Sequence, residues 1–150
     1  MNTEAARAIV DANSYMTLAT ADADGAPWAS PVWFAHHQYE TFLWMSQPDA
    51  RHSRNIAARR AIAIVIFDST VRPHERNAIY VEAVADVVAD AELSDAVGVY
   101  AARSVARGLE TLAPEAVSGD APWRLYRARA SAVYVLEDEH DRRVSVELAR

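Results

Sequence analysis

SYMTLATADADGAPWASPVWFA, Ser14 to Ala35, is the stretch whose reading decides the fold. SYMTLAT (Ser14 to Thr20) has the composition of a strand. ADADG (Ala21 to Gly25) follows as a hairpin turn, with its glycine where a positive φ is often required. APWASPVWFA (Ala26 to Ala35) is the returning strand. Pro31 inside it has no N–H to give to a ladder. That places the strand at a sheet edge, at a bulge, or where the sheet splits. Trp28 and Trp33, five residues apart, point to opposite faces of it. One can serve the core while the other faces a groove or a partner chain.

Working outward, HHQY makes the next turn and ETFLWMS (Glu40 to Ser46) a third strand. Pro48 and Asp49 then start a short helix that ends near Arg60, with Asp49 suited to the N-cap. AIAIVIFD (Ala61 to Asp68) is nearly all apolar, the pattern of a strand buried on both faces. STVRPHERN is a polar loop. AIYVEAVADVV (Ala78 to Val88) alternates, with Ile79, Val81, Ala83, Ala85 and Val87 on one face. Upstream, Thr3 to Ala12 reads as a helix with Ala6, Ile9 and Val10 on one side, and Thr3 and Glu4 suit its start. Downstream, Glu92 to Ala106 reads as a helix whose inner stripe is Leu93, Val97, Tyr100, Ala101, Ser104 and Val105, stopped by Gly108. Trp123 to Glu137 and Arg142 to Leu148 form a last hairpin across the turn DEHD. Six or seven strands joined mostly by hairpins, with three helices at the sides, pack most simply as one mainly-β domain over residues 1–150, an antiparallel barrel with accessory helices.

The chain has 150 residues, 51% of them apolar, enough for one proper core. Its formal net charge of −6 argues against a general nucleic-acid binder. No cysteine occurs, which excludes disulfides, thiolate catalysis and cysteine-ligated metal. The first residues carry acidic groups and no long apolar run, unlike a signal peptide, and Ala61 to Phe67 is far too short to span a bilayer. A soluble cytoplasmic protein is the expectation.

On this acidic chain, PDARHSRNI (Pro48 to Ile56) concentrates Arg51, His52 and Arg54, with Arg59 and Arg60 close behind. The run is either a solvated helix face or an anion seat. If Asp49 caps the helix, the backbone N–H groups of Ala50, Arg51 and His52 are free at its start, where the dipole is also positive. Arg51 offers a planar fork matched to phosphate oxygens, and His52 donates one hydrogen bond when neutral and two when charged. Arg59 and Arg60 lie at the far end and, with Arg54, read as solvated surface. With four glycines the chain can hardly build a glycine-rich phosphate loop, and no Walker loop, GxGxxG or GxSxG occurs. His36 and His37 are adjacent, and His74 and His140 sit in polar loops. No HxH or HxxxH pair is present, so the histidines give no metal signature.

The order of SYMTLATADADGAPWASPVWFA, TFLWMSQPDARHSRNIAARRAIAIVIFD and AIYVEAVADVV resembles the pyridoxamine 5′-phosphate oxidase-like family, the FMN-binding split barrels. The resemblance covers about Ala12 to Val88 and returns weakly at WRLYRA. It implies a six- to seven-stranded antiparallel split β-barrel that forms a homodimer, with a flavin at the subunit interface. It implies that Ser30, Pro31, Val32 and Trp33 run past the isoalloxazine ring, that Met45 and Ser46 contact the cofactor, and that Arg51 and His52 hold the phosphate. Trp123 and Arg127 match C-terminal residues that close the site from the other subunit. The family commonly has lysine where this chain has His52, a weaker and pH-dependent phosphate partner. The chain lacks the long basic C-terminal segment of true pyridoxamine phosphate oxidases, so vitamin B6 oxidation is not expected. The implied activity is an FMN-dependent oxidoreductase moving hydride to or from a small conjugated substrate, with no catalytic acid or base assigned. The alternatives are a deazaflavin-dependent reductase, or a non-catalytic flavin- or haem-binding protein with an axial ligand drawn from His36, His37 or His52.

Overall fold

The computed structural model describes residues 1–72, 77–137 and 140–149. The loop expected around His74 and the first half of the DEHD turn fall partly outside them. Among the described residues the chain runs α1 (Thr3–Ala12), β1 (Tyr15–Ala21), β2 (Pro27–Trp33), β3 (Ala35–His37), β4 (Thr41–Ser46), α2 (Arg51–Ala58), β5 (Ala61–Phe67), β6 (Ala78–Val87), α3 (Asp90–Ala106), a 3₁₀ turn (Pro114–Val117), β7 (Arg124–Leu136) and β8 (Arg143–Ser145).

The strands form one antiparallel sheet in the order β2-β1-β5-β6-β7-β4-β3, and β8 pairs with the far end of β7. The two edge strands, β2 and β3, are consecutive in the chain and separated only by Phe34. The sheet therefore curls until its edges meet at one bend, a mainly-β split barrel with three helices. The long second strand expected from sequence is thus two strands. Pro31 sits on the edge strand β2, opposite Thr17. His37 to Glu40 closes the β3–β4 hairpin with Gln38 and Tyr39 at φ 53° and 62°, the left-handed pair that a tight hairpin demands. Gly25, at φ 89°, serves the β1–β2 turn in the same way.

The barrel interior is filled by Met16, Leu18, Phe34, Phe42, Trp44, Ile64, Ile66, Ile79 and Val81, with Ala6 and Val10 of α1 and Ile56 of α2 closing on them. A second, smaller core lies outside the barrel, where Leu93, Val97 and Tyr100 of α3 pack on Ala35 and Leu43. The N-cap of α1 is Asn2, whose Oδ1 accepts from the Ala5 N–H at 2.8 Å, rather than Thr3. The C-terminal carbonyls of α1 receive Arg103 and Arg107 from α3, onto Val10, Asp11 and Asn13. These two arginines are staples between helices, donating to those backbone carbonyls and, from Arg107, also to Ser14 Oγ at 3.3 Å.

Three burial expectations are corrected. On β6 the alternation holds from Ile79 to Ala85 but not to Val87, which is exposed while Val88 is buried. On α3, Val105 is 60% exposed, because it lies beside the buried stripe of Leu93, Val97, Tyr100 and Ser104 rather than on it. The largest departure is β5. Its Ile62, Ile64 and Ile66 are buried, but Ala61, Ala63 and Phe67 are exposed. The strand is apolar on two faces, and a single chain covers one.

Candidate functional site

The start of α2 meets the ends of β2 and β4, and the sequence-derived candidates divide there. The N-cap is Ala50, not Asp49, and no side chain caps the helix. The chain turns on the Ala50 N–H to Gln47 carbonyl bond, 3.1 Å, which sets the helix one residue later than the Asp49 signal suggested. The first N–H to close onto the chain ahead of it is that of Arg54, on Ala50 O at 3.0 Å. The N–H groups of Arg51, His52 and Ser53 precede it, as the open donors of a helix start.

His52 is held at both ring nitrogens. Nδ1 lies 3.1 Å from Ser30 Oγ on β2, and Nε2 lies 2.7 Å from Ser46 Oγ at the end of β4. Ser46, itself buried, also lies 2.9 Å from Ser53 Oγ and donates to its neighbour's carbonyl, Gln47 O, at 3.3 Å. Burial holds the His52 imidazole below its ordinary value of 6.5. Burial thus favours the neutral ring, which has one donor and one acceptor. Arg51 makes no hydrogen bond or ion pair among the described residues. Its guanidinium lies instead over the exposed face of Trp28 on β2. Trp28 and Trp33 do take opposite faces. Trp33 meets Tyr100 of α3 edge-on at 5.0 Å.

α2 is fastened below this point by a buried bond, Asn55 Nδ2 to Thr20 Oγ1 at 3.0 Å. Thr20 in turn donates to Trp28 O at 3.4 Å, so one chain of bonds ties helix, β1 and β2. The other basic residues are occupied elsewhere. Arg54 reaches back to Asp49 O, Arg59 to the β1–β2 turn carbonyls of Asp22 and Ala23, and Arg60 to Asp86.

Ser30, Ser46, His52 and Arg51 are thus brought together. Val32 is buried in the barrel, Pro31 lies on the outward face of the edge strand, and Met45 is half-buried beside Trp33 and α3. Trp123 and Arg127 are not brought to this chain's own His52. Trp123 is 41% exposed before β7. Arg127 sits between Asp86 Oδ1 and Glu92 Oε1, 2.8 Å from each, and those bonds raise its pKa. Sequence reasoning missed Ser53, the Asn55–Thr20 bond and the Arg51–Trp28 stack.

The donor set suits a phosphate ester. Among the described residues it comprises one guanidinium without a carboxylate partner, three hydroxyls and a helix start, with no acidic side chain in contact with His52.

Among the described residues no group of three or more His, Asp or Glu is placed to hold a metal ion. No helix is long and apolar enough to cross a membrane. His36, like His52 only partly buried, is committed to Asp11 at 3.0 Å and stacked on Tyr39. Burial pushes its pKa down although Asp11 pulls it up.

A family model described as pyridoxamine 5′-phosphate oxidase matches residues 2–137. No curated protein matches the sequence. Among solved structures, a haem-binding protein from Mycobacterium smegmatis superposes with a TM-score of 0.74 at 22% identity, over 96% of this chain and 57% of that one. The haem storage protein HutZ from Vibrio cholerae gives 0.69 at 23% identity, over 90% and 95%. An F420 reductase gives 0.56 at 24% identity, over 79% and 87%. The chain spans little more than half the length of the first of these. At such identities the likeness is one of fold.

Proposed function

The chain belongs to the pyridoxamine 5′-phosphate oxidase family, and from that premise we propose that it is a flavin-dependent oxidoreductase holding FMN by its phosphate at the start of α2. The observation that carries this reading is the meeting of Arg51, His52, Ser30 and Ser46 around one helix start. Bound FMN would supply hydride transfer to or from a small conjugated substrate. The chain's part is binding and orientation. Arg51 neutralises phosphate charge, the serine hydroxyls and helix N–H groups fix its oxygens, and β2 from Ser30 to Trp33 offers the ring an edge. No acid or base is needed among the residues at hand.

A homodimer belongs to the same proposal, and the surface of the sheet supports it. The pairing sets Pro31, Thr17, Val65 and Tyr80 in one outward row, and Trp33 and Tyr15 in the next with Phe67 beyond on β5. Tyr15 is 61% and Phe67 47% exposed on this chain. A second copy laid against this face would bury the second apolar side of β5 and explain its composition.

Two of the similar structures are named for haem and one for F420, so deazaflavin or haem would be the competing ligand. For haem, His37 is the one of the three candidate histidines with neither ring nitrogen engaged among the described residues. Absorbance of the protein as purified, followed by calorimetric titration with FMN, separates these readings. Flavin bands and stoichiometric FMN uptake are expected. A Soret band with no FMN uptake would replace the flavin reading with the haem one.

A further inference from the structure

Resting on the FMN reading, we propose that His52 is a proton-coupled latch on the phosphate seat: a phosphomonoester dianion binds there together with one proton from solvent, taken up by the imidazole. The argument is one of hydrogen-bond polarity. A neutral imidazole has one donor and one acceptor. Bridging Ser30 Oγ and Ser46 Oγ, it must accept a proton from one of the two hydroxyls. That hydroxyl points its only proton at the ring and shows an anion its lone pairs.

When the ring is protonated, both nitrogens donate. Ser30 and Ser46 then both accept from His52, and their protons are released to point elsewhere. Ser30 has no other partner among the described residues. Ser46 can turn to Gln47 O, to Ser53 Oγ or into the seat. One proton therefore adds a charge and converts a mixed surface into a donor surface. The phosphate dianion is the ligand that gains from both changes.

Among the described residues no neighbouring charge does this work in the free chain. Arg51 lies on Trp28, and Arg54 is bonded to Asp49 O. On β7, Arg124 opposite Ser46 is spent on the carbonyls of Gly119, Ala121 and Trp123. On β6, Asp86 is held by Arg60 and Arg127. β1 presents only the hydroxyl of Thr20 towards α2. The Asp49 carboxylate makes no ion pair among the described residues. Burial is what depresses the imidazole, favouring the ring without the proton it would receive.

The sign follows. His52 titrates below about 6.5 when free and higher when phosphate is bound, so binding strengthens as pH falls through the bound value. The test is calorimetric titration of the full chain with FMN between about pH 6.5 and 9, where the phosphate is a dianion. It is run in two buffers of different ionisation enthalpy, with riboflavin as the phosphate-free control. FMN affinity is expected to fall with rising pH by at most about tenfold per unit, with net proton uptake. Riboflavin affinity is expected to stay flat, and His52→Gln to abolish both uptake and slope. The His52 ring resonance of the native chain gives the same answer without a variant, its midpoint moving up when FMN is added. FMN binding without uptake or slope, or uptake that survives in H52Q, would overturn the latch and leave the FMN reading standing. Absence of FMN binding at every pH would overturn both.

Discussion

The guanidinium carbon of Arg51 lies 4.3 Å from the centre of the Trp28 ring, so the charge at the start of α2 is steadied against β2. An arginine on an aromatic face keeps its in-plane donors free for an anion. Arg51→Ala is therefore expected to weaken FMN binding by roughly 1.5–3 kcal/mol, as for a hydrogen bond to a charged group. Trp28→Leu should cost less, about 0.5–1 kcal/mol, since it removes the platform and leaves the charge. Fluorescence titration of FMN measures both, and an unchanged affinity for R51A would make Arg51 a solvated charge.

Val65 lies at the middle of the outward face of β5, opposite Thr17 and Tyr80. Val65→Glu puts a carboxylate where a second copy would sit, while the buried Ile64 and Ile66 beside it are untouched. Sedimentation equilibrium should find the native chain dimeric and V65E monomeric with unchanged far-UV dichroism. A monomeric native chain would remove the second-copy assignment.

Glu92 accepts from Arg127 at 2.8 Å, and this bond, ahead of any other effect, holds its carboxyl below the ordinary glutamate value of 4.5. A carboxylate with a depressed folded value stabilises above its unfolded pKa and loses that contribution as pH falls through the folded one. The difference in Tm between the native chain and Glu92→Gln is thus expected at neutral pH and should close as acid carries the pH below the ordinary glutamate value and through the lowered folded one. A difference independent of pH would place the effect in packing.

Thr20→Val leaves the buried Asn55 amide without its acceptor. Urea denaturation should show a loss of about 1–3 kcal/mol, the cost of an unmatched buried donor. Because Asn55 lies one turn from His52 on α2, FMN affinity should fall alongside stability.

Much of the architecture was legible because it is written in local pattern. The bounds of α1 follow from its apolar spacing, and the β1–β2 hairpin from Gly25. The break at Phe34 was not, since a strand that bends round a barrel keeps its alternation on either side of the bend. Asp49 is a good capping residue passed over, because a bond from the Ala50 N–H to Gln47 O holds the turn instead. On β5, apolar residues on both faces read as burial on both, but the chain buries only the isoleucine face, and the pattern of one strand does not tell how many covers the chain supplies.

The candidate site was opaque in its wiring. Arg51 and His52 could be singled out as basic residues at a helix start, and Ser30 and Ser46 through the family resemblance alone. That His52 joins Ser30 to Ser46 could not, since those residues are 22 and 6 positions away and only the meeting of β2, β4 and α2 sets the distances. Ser53 had a weak signal, as a hydroxyl next to His52 in a basic run. The Arg127–Asp86–Glu92 group had none, because its three residues come from β7, β6 and α3.

Pro31 has a further consequence. β2 ends the sheet with one side of its backbone unpaired. An open edge of that kind invites any extended chain to add itself and so begin a ribbon. With no N–H at Pro31, the edge cannot offer an unbroken row of donors to a newcomer. The strand proposed to run beside the flavin is thereby a poor template for polymerisation, and a chain with so apolar an outer surface can be stored at high concentration with less danger of fibres.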